Sequence, residues 1–289
     1  MRNPDKVEAI STNSDIFVVP ANGGNPRNLT QANKGYDVAP VYTPDGKYIL
    51  YRWQKTEGFE ADRWRIMRRN RQTGETVELT QGFDEQADEM ILSPDGKTVY
   101  FTAGERGFAP VFSVALEPDF RMRIATHVKW VIPKGYFSNL NIAPDGKTLF
   151  MLASSMTAPG EIYRTTIDNP ENINNLSNIN AALNLPKPEE LEWTGAANAK
   201  IHGYLVKPAN FDASKKYPLL VLIHGGPQSA WNNNWGYRWN PQIFANAGYV
   251  VFMPNPRGST GYGQRFVNEI SGDWAGKVYI DLMNGVAEA

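Results

Sequence analysis

Two kinds of apolar pattern divide the chain near residue 185. Before it, apolar and β-branched residues come in short stretches bounded by turn residues. After it, two stretches are continuously apolar, Leu219-Leu220-Val221-Leu222-Ile223 and Tyr249-Val250-Val251-Phe252-Met253. Short bounded stretches predict antiparallel strands joined by hairpins, whereas strand-length continuous runs predict strands covered on both faces, as in a parallel sheet flanked by helices.

The first pattern repeats. Thr43-Pro44-Asp45-Gly46-Lys47, Ser93-Pro94-Asp95-Gly96-Lys97 and Ala143-Pro144-Asp145-Gly146-Lys147 recur at a spacing of fifty residues, each followed by a strand-forming stretch such as Tyr48-Ile49-Leu50-Tyr51. Pro presets φ, Asp caps the turn through its side chain and Gly accepts positive φ, so each copy predicts a hairpin. Leu29-Thr30-Gln31 returns as Leu79-Thr80-Gln81, again after turn residues and short strands around residues 16–19 and 66–68. A unit of four short strands every 40 to 50 residues is the signature of a β-propeller blade. Residues 1–185 are therefore expected to form a partial β-propeller of about three to four blades. That is the bottom of the usual range of about four to eight, so the ring is expected not to close and the chain to start inside a blade.

Pro186-Lys187-Pro188-Glu189-Glu190 predicts an exposed linker. Residues 200–207 alternate like a half-buried antiparallel strand, and residues 239–246, ended by Ala247-Gly248, predict the helix linking the two apolar runs. Residues 279–289 predict a further helix. His224-Gly225-Gly226-Pro227 follows the first run, and Asn255-Pro256-Arg257-Gly258-Ser259-Thr260-Gly261-Tyr262-Gly263 follows the second. Loops at the carboxyl ends of such strands handle ligands. A Gly pair lets backbone N–H groups approach a substrate closely, as stabilisation of a developing oxyanion requires, and His-Gly-Gly after a buried strand is the oxyanion-loop pattern of α/β-hydrolases.

Propeller-type repeats followed by these two motifs in this order resemble the prolyl oligopeptidase family of serine peptidases, of the acylaminoacyl-peptidase and dipeptidyl-aminopeptidase type. The resemblance implies that residues 186–289 form the N-terminal part of an α/β-hydrolase peptidase domain. It also implies a Ser-Asp-His triad, with the serine in a G-x-S-x-G turn. No such pentapeptide occurs: Arg257 stands two before Ser259, and Glu269 two before Ser271. All three triad members are expected beyond Ala289, leaving this chain an inactive fragment. The implied roles that remain are oxyanion donors at Gly225 and Gly226, since Pro227 has no N–H, and loop-orienting or substrate-contacting roles for His224 and Arg257. For Arg257 a structural role is the stronger expectation.

Composition adds mostly exclusions. Of 289 residues, 42% are hydrophobic and 20% charged, as in a folded protein, and 29 basic against 30 acidic residues announce no nucleic-acid or membrane surface. Without cysteine there is no disulfide framework or thiolate site, and compartment stays open between cytoplasm and periplasm or exterior. No apolar run reaches the ~18 residues of a membrane span. His127 and His202 have no ligand-spaced partners, so no metal is expected, and both read as surface or packing residues. The glycines at 258, 261 and 263 run G-x-x-G-x-G, the wrong order for a nucleotide cradle, and no cofactor is expected. Asp84, Glu85, Asp88 and Glu89 read as a solvated loop, with capture of a peptide amino terminus as the alternative. Trp231, Trp235, Tyr237 and Trp239 either line a substrate cavity or pack. The leading expectation is a peptidase that cleaves short peptides, the propeller restricting access. A non-catalytic propeller that binds peptides or proteins and an α/β-hydrolase esterase are the competing readings.

Overall fold

The three Pro-Asp-Gly-Lys turns each join the first and second strands of a four-stranded antiparallel sheet in the computed structural model, which describes residues 11–122, 125–179 and 183–289. A strand pair, β1 (Phe17–Val18) and β2 (Arg27–Asn28), comes first. The first full sheet runs β3 (Asp37–Tyr42), β4 (Tyr48–Trp53), β5 (Arg65–Asn70) and β6 (Thr76–Glu78) in sequential order. The second runs β7 (Ala87–Leu92), β8 (Thr98–Ala103), β9 (Val111–Ala115) and β10 (Lys129–Ile132), and the third β11 (Tyr136–Ile142), β12 (Thr148–Ser155), β13 (Ala158–Thr166) and β14 (Asn169–Asn175).

The repeated residues have repeated jobs. Thr43 Oγ1 donates to Asp45 Oδ1 at 2.6 Å and accepts from Tyr48 N at 3.0 Å, while Gly46 takes φ +68°. Ser93, Asp95 and Gly96 repeat this arrangement. In the third copy Ala143 has no hydroxyl, and Thr148 replaces it by donating Oγ1 to Asp145 Oδ2 at 2.7 Å. The Leu-Thr landmark is a strand lock: Leu29 N bonds Ile16 O and Thr30 Oγ1 accepts from Ile16 N, as Leu79 and Thr80 do with Ile66. Register shifts also recur in each first strand, between Val38 and Val41, Ala87 and Met90, and Ser138 and Asn141.

Alternation along the strands gives the first two sheets an apolar residue set on each face, and the three sheets stack in sequence order. Ile16, Val18 and Leu29 pack on Ile49, Tyr51 and Met67 of the first sheet. Its other face, with Tyr48, Leu50 and Ile66, meets Val99, Phe101 and Phe112 of the second. Val111 and Ile91 of the second meet Phe137, Leu149 and Met151 of the third.

The remaining sheet is mixed, in the order β15 (Glu189–Thr194), β16 (Lys200–Val206), β18 (Val250–Asn255), β17 (Leu219–Val221). β17 and β18 are parallel, as the continuous apolar runs predict, and are linked through α1 (Pro241–Asn246), which Asn240 caps through Gln242 N. Helices α2 (Gln264–Asn268) and α3 (Lys277–Glu288) follow.

Three expectations need correction. Residues 189–190 of the supposed linker belong to β15, because Glu189 and Glu190 pair with Leu205 and Tyr204. β16 is buried on both faces, since Tyr204 and Val206 pack with Met253 and Ala245 while Ile201 and Leu205 pack with Trp193 and Phe252. β17, expected to be fully buried, has only intermediate burial and Ile223 beyond it is 59% exposed, because β17 is the edge strand of its sheet.

Candidate active-site loops

The two glycine-bearing loops leave the carboxyl ends of the parallel strands and meet there. Leu222 N bonds Phe252 O at 2.8 Å, extending the parallel pairing to the doorstep of His224. Gly225 is exposed, with open space where a Cβ would stand. Gly226 has φ +136°, and a Cβ there would crowd the Gln228 backbone, so only glycine fits without strain. Neither N–H is taken by a carbonyl of the described backbone. Two free donors at a strand's carboxyl end can stabilise an oxyanion.

His224 joins the loops. Its Nε2 lies 2.9 Å from Ser259 Oγ and its Nδ1 3.1 Å from Gly225 O, while Ser259 Oγ donates to Pro256 O at 2.6 Å. Burial holds the imidazole below its ordinary pKa. Ser259 is 0% exposed, so this His-Ser pair orients loops and offers no nucleophile to a substrate.

Arg257 is buried inside the protein and bonded there on several sides. Its Nε and Nη2 donate to the two carboxylate oxygens of Asp281 at 2.7 and 3.0 Å, Nη1 donates to Glu269 at 2.7 Å, and Nη2 also reaches Ala196 O at 2.6 Å. Asp281, fully buried on α3, accepts from Ala196 N as well. These bonds hold the guanidinium above its ordinary pKa, the Asp281 bond most of all. Such a forked arrangement ties α3 and the 195–199 turn to the second loop, and at 2% exposure the guanidinium is turned away from a substrate. Asp281 and Glu269 escape the sequence reading, although Asp281 shares the buried face of α3 with Val278 and Gly285, and a carboxylate on a buried helix face signals a buried partner.

A second buried network lies beneath the first. Asn255 Oδ1 accepts from Trp231 N at 2.7 Å, its Nδ2 donates to Trp231 O and to Tyr262 Oη at 2.9 Å each, and Tyr262 Oη lies 2.6 Å from His202 Nδ1. His202 is 2% exposed, so only the packing half of its expected role holds. Burial lowers its pKa to about 4, outweighing Glu190 nearby, and Arg106 acts in the same direction as burial.

Of the carboxylates at 84–89, Asp84 is exposed as expected and Glu85 is half-buried. Burial and the neighbouring Glu105 push Glu85 up to about 8, even though it accepts a bond from Gly263 N–H of the second loop. Asp88 and Glu89 lie on β7, Asp88 exposed and Glu89 half-buried, and Glu89 accepts from the backbone of Asn139 and Leu140. Of the aromatic stretch, Trp231 packs on the core of β16 and β18 while Tyr237 is 82% exposed. Among the described residues no group of His, Asp and Glu is placed to hold a metal, and no helix is long and apolar enough to cross a membrane.

The repeated sheets dock on these loops through residues 104–107. Arg106 N bonds Gly261 O at 2.8 Å, Asn233 N bonds Gly107 O at 2.7 Å and Tyr204 Oη donates to Gly107 O at 2.9 Å.

Residues 235–289 match the model of the prolyl oligopeptidase family, a stretch that includes Asn255, Arg257 and Asp281. Along 97% of its length the chain is 34% identical to probable dipeptidyl-peptidase 5 of Arthroderma benhamiae, and equally to dipeptidyl-peptidase 5 of Trichophyton equinum. It spans 40% of the length of each. An acylaminoacyl peptidase solved in complex with Z-Gly-Gly-Phe-chloromethyl ketone shares its fold over 99% of the chain and 42% of that protein, with a TM-score of 0.77 at 19% identity. The acylaminoacyl peptidase of Pyrococcus horikoshii gives 0.75 over 95% of the chain and 40% of its own, at 21% identity. Residues 235–289 thus match the prolyl oligopeptidase family, and nearly the whole chain is similar to part of proteins named dipeptidyl-peptidase 5.

Proposed function

We propose that these residues are the access-limiting and oxyanion-binding parts of a serine peptidase that cleaves short peptides through an acyl-enzyme. The observation that carries this reading is the pair of N–H groups at Gly225 and Gly226 that no carbonyl of the described backbone takes, held at the carboxyl end of a parallel strand and braced by His224. In the reaction, a serine oxygen adds to the scissile carbonyl as a histidine takes its proton. The carbonyl oxygen becomes the oxyanion, and the glycine N–H groups stabilise it better than the planar substrate. The proton then passes to the leaving amine, and water repeats the sequence on the ester. Residues 1–185, with three sheets stacked in series, serve as propeller blades, and residues 186–289 as the opening part of the hydrolase domain. Docking of the blades over the loops admits short peptides and excludes folded chains and bulk water.

The 289 residues contain no G-x-S-x-G turn, so the nucleophile is assigned to sequence that the relatives have and this chain does not span. Fluorophosphonate labelling tests both halves of the reading. The full gene product is expected to label stoichiometrically on one serine outside residues 1–289, and the 289-residue chain alone to remain unlabelled. Stoichiometric labelling of the short chain, or none of the gene product, would overturn the corresponding half.

A further inference from the structure

The loop carrying Gly225 and Gly226 needs its donors aimed, because an oxyanion hole works only where the N–H groups already point. His224 braces one side. The other is held by polar groups that the sequence reading and the proposed chemistry leave without a role.

Asn255 is 0% exposed at the end of β18. Its carboxamide grips both backbone groups of Trp231, the N–H at 2.7 Å and the carbonyl at 2.9 Å. Trp231 in turn donates its indole Nε1 to Leu222 O at 2.7 Å. Residues 222–231, with the two glycines between, are thus closed into a loop whose ends are bonded to each other and to β18. The protons can be counted along this chain. Asn255 Nδ2 has two hydrogens, and both are used, on Trp231 O and on Tyr262 Oη. Tyr262 therefore accepts from Asn255 and has its own hydrogen left for His202 Nδ1, 2.6 Å away. Neutral His202 then carries its proton on Nε2, which faces Glu190 Oε2 at 3.7 Å, beyond hydrogen-bond reach. The chain runs in one direction only, and a flipped carboxamide would set donor against donor at Trp231 N.

We propose that Asn255 and Tyr262 are positioning residues for the Gly225 and Gly226 donors, with the His202 Nδ1 acceptor fixing the direction of the hydrogen-bond chain. This rests on the peptidase reading above. Tyr262→Phe is the informative variant, since it removes one oxygen and keeps the ring that packs on Phe266. Removing the oxygen leaves Asn255 Nδ2 with a spare hydrogen and His202 Nδ1 with no donor, and only Trp231 then holds the carboxamide.

The experiment uses the full gene product with a short fluorogenic peptide amide, and follows hydrogen exchange in residues 222–231 alongside. Tyr262→Phe is expected to lower kcat about tenfold or more, with KM within twofold of the wild type, because donors moved by a fraction of an ångström lose transition-state contact first. The same variant is expected to exchange faster across 222–231 while the repeated sheets are unchanged. Asn255→Ala is expected to do both more strongly, and Asn255→Asp, which keeps the acceptor for Trp231 N but has no hydrogens to donate, to fall between. A Tyr262→Phe enzyme with unchanged kcat, or unchanged exchange across 222–231, overturns the proposal. A gene product that neither hydrolyses the peptide nor labels with fluorophosphonate overturns the peptidase reading instead, and exchange alone then decides whether the tether exists.

Discussion

The repeated sheets and the mixed-sheet unit satisfy their polar groups over very different lengths of chain. In the sheets the defining bonds are local: Thr43 reaches Asp45 two residues away and Tyr48 five away. In the mixed unit Asp281 reaches Trp193, Ala196 and Arg257 across 88, 85 and 24 residues, and His202 reaches Tyr262 across 60. Local bonds form wherever their short sequence occurs, so the same turn can be written three times and lose one hydroxyl without consequence for the strand that follows. Long-range bonds form only when the whole unit is assembled, so each partner depends on the rest.

The sharpest way to break this contrast is Asp281→Ala. It leaves the Arg257 guanidinium buried without its main partner, and loss of one member of a buried pair costs about 3–5 kcal/mol. Urea unfolding of the protein is expected to show that loss in the mixed unit, with the sheets retaining their own transition. A loss below about 1 kcal/mol would mean that Glu269 and the Ala196 carbonyl suffice for Arg257.

Gly107→Ala attacks the contact between the two regions. Gly107 sits at φ +80° and a Cβ would overlap the Tyr204 ring, whose hydroxyl already bonds its carbonyl. Strain and overpacking of this kind cost about 1–3 kcal/mol. Heating the variant is expected to resolve separate transitions for sheets and mixed unit. A single transition at the wild-type temperature would show that the 104–107 turn is not what couples them.

The same contrast explains what could be read from the sequence. Fifty-residue spacing, the Pro-Asp-Gly turns and the parallel pair of apolar runs were legible because each is a local pattern with a local cause. Gly225, Gly226 and His224 could be named as candidates because they are contiguous and follow a strand. Asp281, Glu269 and the Asn255-Tyr262-His202 chain were not, because no short window contains two members of either network. Burial was misjudged for the same reason: alternation in β16 suggested one wet face, but α1 and the third sheet's Met156 cover it from elsewhere in the chain. Glu85 looked solvated within its own loop and is half-buried, accepting a bond from Gly263 about 180 residues later.

Acid and base should act on the two regions with opposite sign. In the sheets burial raises Asp37 to about 7 against the bonds from Asn33 and Thr30, with Asp15 adding repulsion, and Glu85 to about 8. Both hold their protons better when folded, so the stability they contribute is fully present below their ordinary values of 3.8 and 4.5 and is lost as pH rises through 7 to 8. His202 in the mixed unit is depressed from 6.5 to about 4, with Glu190, Arg106 and Tyr262 around it. Its contribution is present above 6.5 and lost as pH falls through 4. Relative to the wild type, Asp37→Asn is therefore expected to gain in urea midpoint between pH 5 and 8, and His202→Gln to gain as pH falls from 6.5 to 4. Parallel curves for either variant would remove that group from the account.

The finest test lies inside the repeat. Thr43 and Ser93 hold their turns in the same way, yet the residues able to replace them differ: position 98 is a threonine and position 48 a tyrosine. The third turn shows what a threonine there can do, since Thr148 donates its hydroxyl to Asp145 and its N–H to the same carboxylate. Ser93→Ala leaves Thr98 free to copy that arrangement. Thr43→Ala has no such substitute, because the Tyr48 hydroxyl is already directed to Glu117 and the Tyr48 N–H loses the Thr43 oxygen that accepted it. Thr43→Ala is expected to cost about 1 kcal/mol, the net value of a lost hydrogen bond, and Ser93→Ala measurably less. Equal losses in urea unfolding would show that the turns are held by backbone alone, and that the recurrence of Thr or Ser before Pro-Asp-Gly has no energetic cause at those sites.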